Sequence, residues 1–149
     1  MKITVLTHEF VEYIPKDLQD GTIYVSIPFA TAAHKCCCGC GNEVVTPISP
    51  TDWQLTFDGE SISLHPSIGN WSFDCKSHYW IERNKIRWAR RWSQKEIDAG
   101  RADDRYTKER YFQSAESPAA NNKDAGVGKP GQSKPEWRPW RKLKKWWLQ

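Results

Sequence analysis

The sequence predicts an α+β domain in which short antiparallel strands surround a cysteine-rich knuckle, followed by C-terminal helices and a flexible basic tail. Three observations predict this class. Short β-branched and aromatic runs alternate with turn residues over the first ninety positions, four cysteines crowd into residues 36–40, and a helix-capping signal starts at Ser93. A chain of 149 residues has room for one sizeable core.

Composition narrows the class of protein. Nine Trp, five Tyr and five Phe argue against a wholly disordered chain. No stretch reaches the roughly 20 apolar residues that cross a bilayer, and residues 1–6 lack a secretory signal's apolar run, so we expect a cytoplasmic protein. Residues 134–149 hold 6 of the 22 basic and 1 of the 18 acidic residues, so the net charge of +4 reflects the tail. The folded part therefore lacks the electrostatic footprint of a nucleic-acid-binding protein.

The first half of the chain predicts three strands and a loop. Residues 2–6 and 22–29 are β-branched and aromatic, and the turn signal Asp20-Gly21 precedes the second run. Residues 34–41 are too rich in glycine and cysteine for regular structure and predict a loop or knuckle. Residues 43–46 predict a short strand that ends at the following proline.

A hairpin is the clearest local pattern. Apolar residues alternate with polar ones over residues 53–57 and 62–64, on either side of Asp58-Gly59. Residues 66–71, with their Pro, Gly and Asn, predict a tight irregular turn. A second strand pair is predicted at 79–81 and 85–88, with Asn84 in its turn. Four tryptophans in this region are predicted to form core and cavity walls: Trp53, Trp71, Trp80 and Trp88.

Two helices and a tail follow. Ser93 and Glu96 have the capping-box spacing, so a helix is predicted to begin there, and Gly100 to interrupt or end it before a second, solvated helix over 102–112. Residues 117–135 contain no Leu, Ile, Phe, Tyr or Trp and many helix breakers, which predicts a linker. We therefore divide the chain into a domain (1–116), a flexible linker (117–136) and a basic Trp-rich tail (137–149). That tail could dock on the domain or bind a membrane surface, single-stranded nucleic acid or a protein.

The cysteines predict a metal site. Neighbouring cysteines bridge poorly, and an odd count without an export signal argues against disulfides. Spacing by two would place three thiolates on one side of an extended backbone, and a distant fourth could complete a closed, structural zinc site: Cys36, Cys38, Cys40 and Cys75. His78, three residues after Cys75, could replace Cys36 or Cys40, and His34 could be a further contact. Cys37 would point to the other side of an extended backbone, so we leave it out of the ligand set. The alternative to a metal site is a set of buried, reduced thiols.

A serine in the predicted turn is a candidate nucleophile. Ser67 precedes Gly69 and Asn70, whose amides could converge on an oxyanion, and His78 or His34 could remove its proton. Asn70 could orient that histidine or donate to the oxyanion. Ser72 and Ser77 are weaker nucleophile candidates, and three carboxylates could be a third member: Asp52, Asp74 and Glu82. By itself the segment is also typical of an ordinary turn.

Several stretches together indicate a family: HKCCCGCG at residues 34–41, TPISP at 46–50 and SLHPSIGNWSFDCKSHYWI at 63–81, with IP at 14–15 and GTIYV at 21–25. Over about residues 13–100 the chain resembles the small proteins encoded in bacterial ubiquitination-like (Bub) operons. The resemblance implies a peptidase of serine type that acts on the C terminus of a ubiquitin-like protein, beside E1-like and E2-like enzymes. It also implies that the four cysteines hold zinc and that Ser67, with His78 or His34, performs acyl transfer. Cys37 and the Trp-rich tail depart from the family pattern.

Two other functions remain open from sequence. One is a zinc hydrolase that uses metal-bound water, with His34, Cys75 or His78 among three ligands. The other is a non-catalytic, zinc-ribbon-like module whose basic aromatic tail binds protein or nucleic acid.

Overall fold

The computed structural model describes residues 1–116 of the chain and contains two four-stranded sheets and one helix. The α+β class is confirmed. The predicted linker (117–136) and tail (137–149) lie outside the described residues. The first sheet has the order β1-β2-β3-β4, with bounds Thr7–Phe10, Thr22–Ser26, Thr31–Lys35 and Glu43–Pro47. The second has the order β5-β6-β7-β8, with bounds Gln54–Phe57, Ile62–Gly69, His78–Glu82 and Lys85–Trp88. Helix α1 spans Gln94–Glu116.

One apolar core joins the two sheets. Strand β2 is buried along its whole length, and Ile23 and Val25 from it share a cluster with Leu64 of β6 and Tyr79 of β7. Full burial of an aliphatic side chain stabilises a fold by about 1.5–3 kcal/mol. This shared core fixes how β6 and β7, which hold the candidate catalytic residues, face the cysteine-rich loop.

The first strand differs from the prediction. Residues 2–6 were predicted to form a strand, but β1 begins at Thr7, where parallel pairing with Thr22 starts. The preceding segment instead forms an isolated antiparallel bridge, between Val5 and Lys85 at the start of β8. The Leu6 amide donates to the Asn84 carbonyl and the Ile86 amide to the Thr4 carbonyl, and the Ile3 amide donates to the Cys37 carbonyl, all at 2.8 Å. The second strand is also shorter than the predicted 22–29: β2 ends at Ser26, because the chain turns directly after it.

The two predicted hairpins are confirmed. Phe57 pairs with Ile62 across the Asp58-Gly59 turn, and the Asp58 carboxylate accepts backbone N–H groups of Glu60 and Ser61 at 3.0 and 2.7 Å. These hydrogen bonds to the charged form lower the pKa of Asp58 to about 2. Strands β7 and β8 pair as predicted.

The turn predicted at residues 66–71 is wrong over most of its length. Pro66 and Ser67 belong to β6, which runs on to Gly69. The register with β7 shifts between Leu64 and Ile68, so this part of β6 is a bulge. Proline lacks the N–H that a regular ladder needs, and a bulge tolerates it for that reason. The same residue types that signal a turn therefore form an irregular strand here.

The capping signal is confirmed, but the number of helices differs. The Ser93 amide donates to the Glu96 carboxylate at 2.8 Å and the Glu96 amide donates to the Ser93 Oγ at 3.4 Å, which are the two reciprocal hydrogen bonds of a capping box. The two predicted helices are one continuous helix, α1, with Gly100 inside it. A side chain at Gly100 would lie 3.1 Å from the Trp92 ring, so the glycine admits this indole against the helix. Within residues 1–116 no helix is both long and apolar enough to cross a membrane.

Candidate active site and cysteine cluster

Ser67 and His78 form a hydrogen-bonded pair across β6 and β7. The Ser67 Oγ lies 2.9 Å from the His78 Nε2. His78 is the first residue of β7 and pairs with Gly69, while Ser67 lies in the bulge of β6. A hydroxyl in hydrogen-bonding contact with an imidazole is the arrangement in which the imidazole can remove the hydroxyl proton.

This pair lines a cavity of about 270 Å³. Trp53, Trp71 and Trp92 supply aromatic walls, and α1 supplies a polar wall: Gly100, Arg101, Asp104 and Lys108. The placement of Trp53 and Trp71 agrees with their predicted role as cavity walls. The Ser67 hydroxyl therefore lines a cavity with mixed apolar and charged surroundings, as ligand-binding cavities have.

Three indoles surround the His78 ring. The centroid of the imidazole lies 5.0 Å from Trp71 and 4.7 Å from Trp92, with both pairs edge-on, and 5.3 Å from Trp80. His78 is only 5% exposed. Burial lowers the pKa of His78, and the positive charge of Arg90 lowers it further. The imidazole is thus neutral at neutral pH, as a general base must be.

None of the three candidate carboxylates contacts His78. Asp52 lines the cavity, but its carboxylate bonds to Lys108 at 2.8 Å and to the Ser49 hydroxyl at 2.6 Å. Glu82 pairs with an arginine of β8, and Asp74 is exposed. The His78 Nδ1 is buried and has no hydrogen-bond partner among residues 1–116. Within residues 1–116, the Ser67 hydroxyl and the His78 imidazole therefore form a pair with no carboxylate bonded to the imidazole Nδ1.

The side chains of His34 and Asn70 make their hydrogen bonds with groups other than the Ser67 hydroxyl. The His34 Nε2 lies 2.8 Å from the Tyr79 hydroxyl in the core, and burial lowers the pKa of His34 to about 4. The Asn70 side chain donates to the Ser77 hydroxyl at 2.9 Å. Its backbone amide donates to the Ser77 carbonyl at 2.9 Å, so it is not free to bind an oxyanion. The other serine candidates also differ from Ser67: Ser72 is exposed, and Ser77 is buried beside the cysteines.

Four cysteines from two parts of the chain come together. All four Sγ atoms lie within 4.8 Å of one another: Cys36, Cys38, Cys40 and Cys75. Neighbouring sulfurs are 3.4 Å apart for Cys36 and Cys38, 4.0 Å for Cys36 and Cys75, and 3.7 Å for Cys40 and Cys75. This set could hold a metal ion. His78 and His34 are not part of it, and Cys37 is buried in the core.

The backbone brings the thiols together by turning, which differs from the extended geometry predicted for residues 36–40. The Gly39 amide donates to the Cys36 carbonyl at 3.0 Å, and Gly39 has a φ of +82°. Only glycine adopts this conformation readily, and a side chain there would also meet the Met1 backbone.

A buried polar network joins the cysteine cluster to Ser77, the residue before His78. The Ser77 hydroxyl lies 3.1 Å from the Cys36 Sγ and accepts from Asn70. Because Ser77 directly precedes His78, the residues that fix the cluster also fix the start of β7.

A family model matches residues 10–89 and is described as bacterial ubiquitination-like system serine protease (BubE). The match spans more than half of the chain and includes Ser67, His78 and the four clustered cysteines. The chain belongs to this family. The name of the BubE family is that of a serine protease, which agrees with the hydroxyl and imidazole pair. No curated protein and no solved structure gives a significant match.

Sequence reasoning missed two contributors to this BubE site. Trp92 lies between the last strand and α1, outside the alternating pattern that identified the other wall tryptophans. The polar wall comes from α1, whose acidic and basic residues appear equally solvated in the sequence. The i to i+4 spacing of Asp104 and Lys108 was the available signal, since these two side chains pair at 3.2 Å.

Proposed function

We propose that this protein is a serine-type peptidase that processes or deconjugates a ubiquitin-like protein, with Ser67 as nucleophile and His78 as general base. The observation that supports this most is the 2.9 Å contact between the Ser67 Oγ and the His78 Nε2 at the wall of a cavity. The family name supplies the reaction class.

The chemistry follows from this contact. The Ser67 Oγ attacks the scissile carbonyl while its proton passes to the His78 Nε2. The imidazolium then gives that proton to the leaving amine. A water molecule next attacks the acyl-enzyme carbonyl while its proton passes to His78, and His78 returns this proton to the Ser67 Oγ as the acid product leaves. Because burial lowers the pKa of His78, the ring begins the cycle neutral.

The oxyanion needs N–H donors close to Ser67. The Asn70 amide is already bonded to Ser77. We assign the role instead to the Ser67 amide, because it lies in the bulge where regular pairing with β7 is interrupted.

The four cysteines fit structural zinc. A Zn–S bond of about 2.3 Å in a tetrahedron places sulfurs ~3.8 Å apart. Three of the six sulfur separations, at 3.4, 3.7 and 4.0 Å, are close to this value, and all six are within 4.8 Å. Four thiolate ligands form a closed site with no position for water, so this set does not support the alternative of a metal-bound nucleophile. Zinc would tie the 36–40 loop to Cys75, three residues before His78.

The bacterial ubiquitination-like system in the family description supports a proposal for the partners. We propose that the substrate is the C terminus of a ubiquitin-like protein of the same system, and that E1-like and E2-like enzymes act beside it. We place this activity in the cytoplasm, where thiols stay reduced.

The direct test is cleavage of that ubiquitin-like protein carrying a C-terminal extension. We expect Ser67→Ala to lower the rate by at least about 1,000-fold. The matched control is Ser72→Ala, since Ser72 is exposed and lies in the same segment. Full cleavage by the Ser67→Ala protein would remove Ser67 from the mechanism.

Chelation separates structural from catalytic metal. We expect activity in a chelator to decline only as the fold is lost, with the two followed together by cleavage rate and circular dichroism. Immediate inactivation of a still-folded protein would instead support the zinc hydrolase.

A further inference from the structure

A second cavity, of about 200 Å³, lies next to the cavity that contains Ser67. It is bounded on one side by residues 43–46 of β4 and on the other by Ile68, Asn70 and Phe73. Trp53 and Gly69 line both cavities. The two cavities therefore share part of their walls, and we refer to them together as the groove: one reaches β4 and the other reaches the Ser67 hydroxyl.

Strand β4 is an edge strand, and its ladder pattern shows which backbone groups are open. The Cys36 amide donates to the Asn42 carbonyl, and the Ile48 amide donates to the Ala30 carbonyl. In an antiparallel pair the hydrogen-bonded positions alternate, so Val44 and Thr46 face β3. The N–H and C=O of Val45 consequently point away from β3, towards the open edge.

That edge is available in the described part of the chain. No strand within residues 1–116 pairs with the outer side of β4. The Val45 side chain is 57% exposed, although it is apolar and lies beside the groove. Edge strands are normally protected by charges, bulges or coverage, and an open donor and acceptor next to a groove is the geometry that accepts an added strand.

We propose that the peptide segment around the scissile bond binds in extended conformation as an additional strand on β4, pairs with the backbone of Val45, and reaches Ser67 past Trp53 and Gly69. This inference depends on the proposed peptidase function and specifies its substrate class: an unstructured, extended tail. Cavities of 200 and 270 Å³ accommodate a few residues of a chain and exclude a folded domain.

The size of β4 sets the length of the contact. Five residues at about 3.4 Å per residue give an edge of ~17 Å. Only the Val45 donor and acceptor lie centrally on it, because the Pro47 carbonyl accepts from the Trp53 amide at 3.1 Å. Binding should therefore depend on main-chain pairing at one residue.

The test compares Val45→Pro with Val45→Thr. Proline removes the outward N–H and is tolerated on edge strands, while threonine keeps the N–H and the β-branched shape. For the ubiquitin-like protein with a C-terminal extension, we expect Val45→Pro to raise KM about tenfold and Val45→Thr to leave it within twofold. Hydrolysis of a small activated ester, p-nitrophenyl acetate, should be equal in both variants, since the ester does not reach β4.

An unchanged KM in Val45→Pro, with ester hydrolysis intact, would overturn the inference. This failure is distinct from failure of the proposed function, which would appear as full cleavage by Ser67→Ala while the Val45 variants behave alike.

Amide hydrogen exchange gives a second measurement, which does not depend on whether a variant at Val45 folds. In the Ser67→Ala protein, the Val45 amide should exchange rapidly when free and at least about tenfold more slowly when the uncleaved substrate is bound. A Val45 amide that is already protected in the free full-length chain would show that the chain itself covers the edge, which contradicts the proposal. Exchange that does not change with substrate would contradict it as well.

Discussion

Two buried histidines of this fold make nearly identical hydrogen bonds and differ in what surrounds them. The His34 Nε2 lies 2.8 Å from the Tyr79 hydroxyl, and the His78 Nε2 lies 2.9 Å from the Ser67 hydroxyl. In both rings the Nδ1 has no hydrogen-bond partner among residues 1–116. Only His78 lines a cavity, whereas His34 is fully buried in the first sheet.

The difference separates a histidine and hydroxyl contact that is closed off in the core from one that lines a cavity. A general base needs access to substrate and a pKa near the working pH. Burial lowers the pKa of His34 to about 4 and raises that of Tyr79 far above its usual range. His34 is therefore enclosed with its partner, whereas His78 lines the cavity beside Ser67, and burial lowers its pKa from the ordinary value.

Loss of the accessible histidine should have the largest effect. We expect His78→Gln to lower kcat for the extended ubiquitin-like substrate by about 1,000-fold or more, because within residues 1–116 the Ser67 hydroxyl has its hydrogen bond with the His78 imidazole. Retained unfolding free energy, measured in urea, serves as the control for folding. Activity within tenfold of the original protein would exclude His78 as the base.

Loss of the enclosed histidine should affect stability instead. We expect His34→Gln to lower the free energy of unfolding by about 1–3 kcal/mol, since the buried Tyr79 hydroxyl loses a well-placed partner. Urea denaturation measures this loss, and kcat per folded molecule should stay within about threefold. A collapse of kcat with unchanged stability would exchange the roles of the two histidines.

The aromatic surroundings of His78 should contribute to its orientation. We expect Trp92→Leu to lower kcat about tenfold with little change in KM, because the ring then loses an edge-on contact while no carboxylate holds its Nδ1. Trp92→Phe keeps an aromatic face and should recover most of the rate. If Trp92→Leu and Trp92→Phe have the same kcat, Trp92 acts only as a cavity wall and does not orient His78.

The smallest expected effect is electrostatic. His78 must be neutral to act, and burial and Arg90 both lower its pKa, so the acid limb of kcat/KM should have its midpoint below pH 6.5. In Arg90→Gln a nearby positive charge is gone, the pKa rises, and this midpoint should move to higher pH by less than about one unit. Arg91→Gln is the matched control, since Arg91 is an exposed neighbour. A shift to lower pH would contradict the assignment of the limb to His78.

Local patterns in the sequence predicted much of the fold. The Asp58-Gly59 hairpin and the Ser93 capping box each depend on residues close in sequence, and both are confirmed. The joining of Cys75 to the cysteines of the 36–40 loop is a long-range prediction that is also confirmed, because ligand chemistry indicates which distant residues can share one site.

The predictions that failed needed information about strand pairing. Proline, glycine and asparagine near Ser67 are as typical of a turn as of a bulged strand. Only the register of β6 with β7 distinguishes these two structures. The sequence could not choose between His34 and His78 either. His78 pairs with Gly69 and lies beside the Ser67 bulge, whereas His34 pairs with Ile23 and Val44 inside the first sheet.

Covalent labelling with a fluorophosphonate probe, followed by peptide mapping, tests the central assignment most directly. The probe reacts with a serine only when a neighbouring base activates it. We predict a single labelled serine, Ser67, in the original protein and in His34→Gln, and no label in His78→Gln. Labelling of a different serine, or labelling of Ser67 that persists at full rate in His78→Gln, would contradict the account.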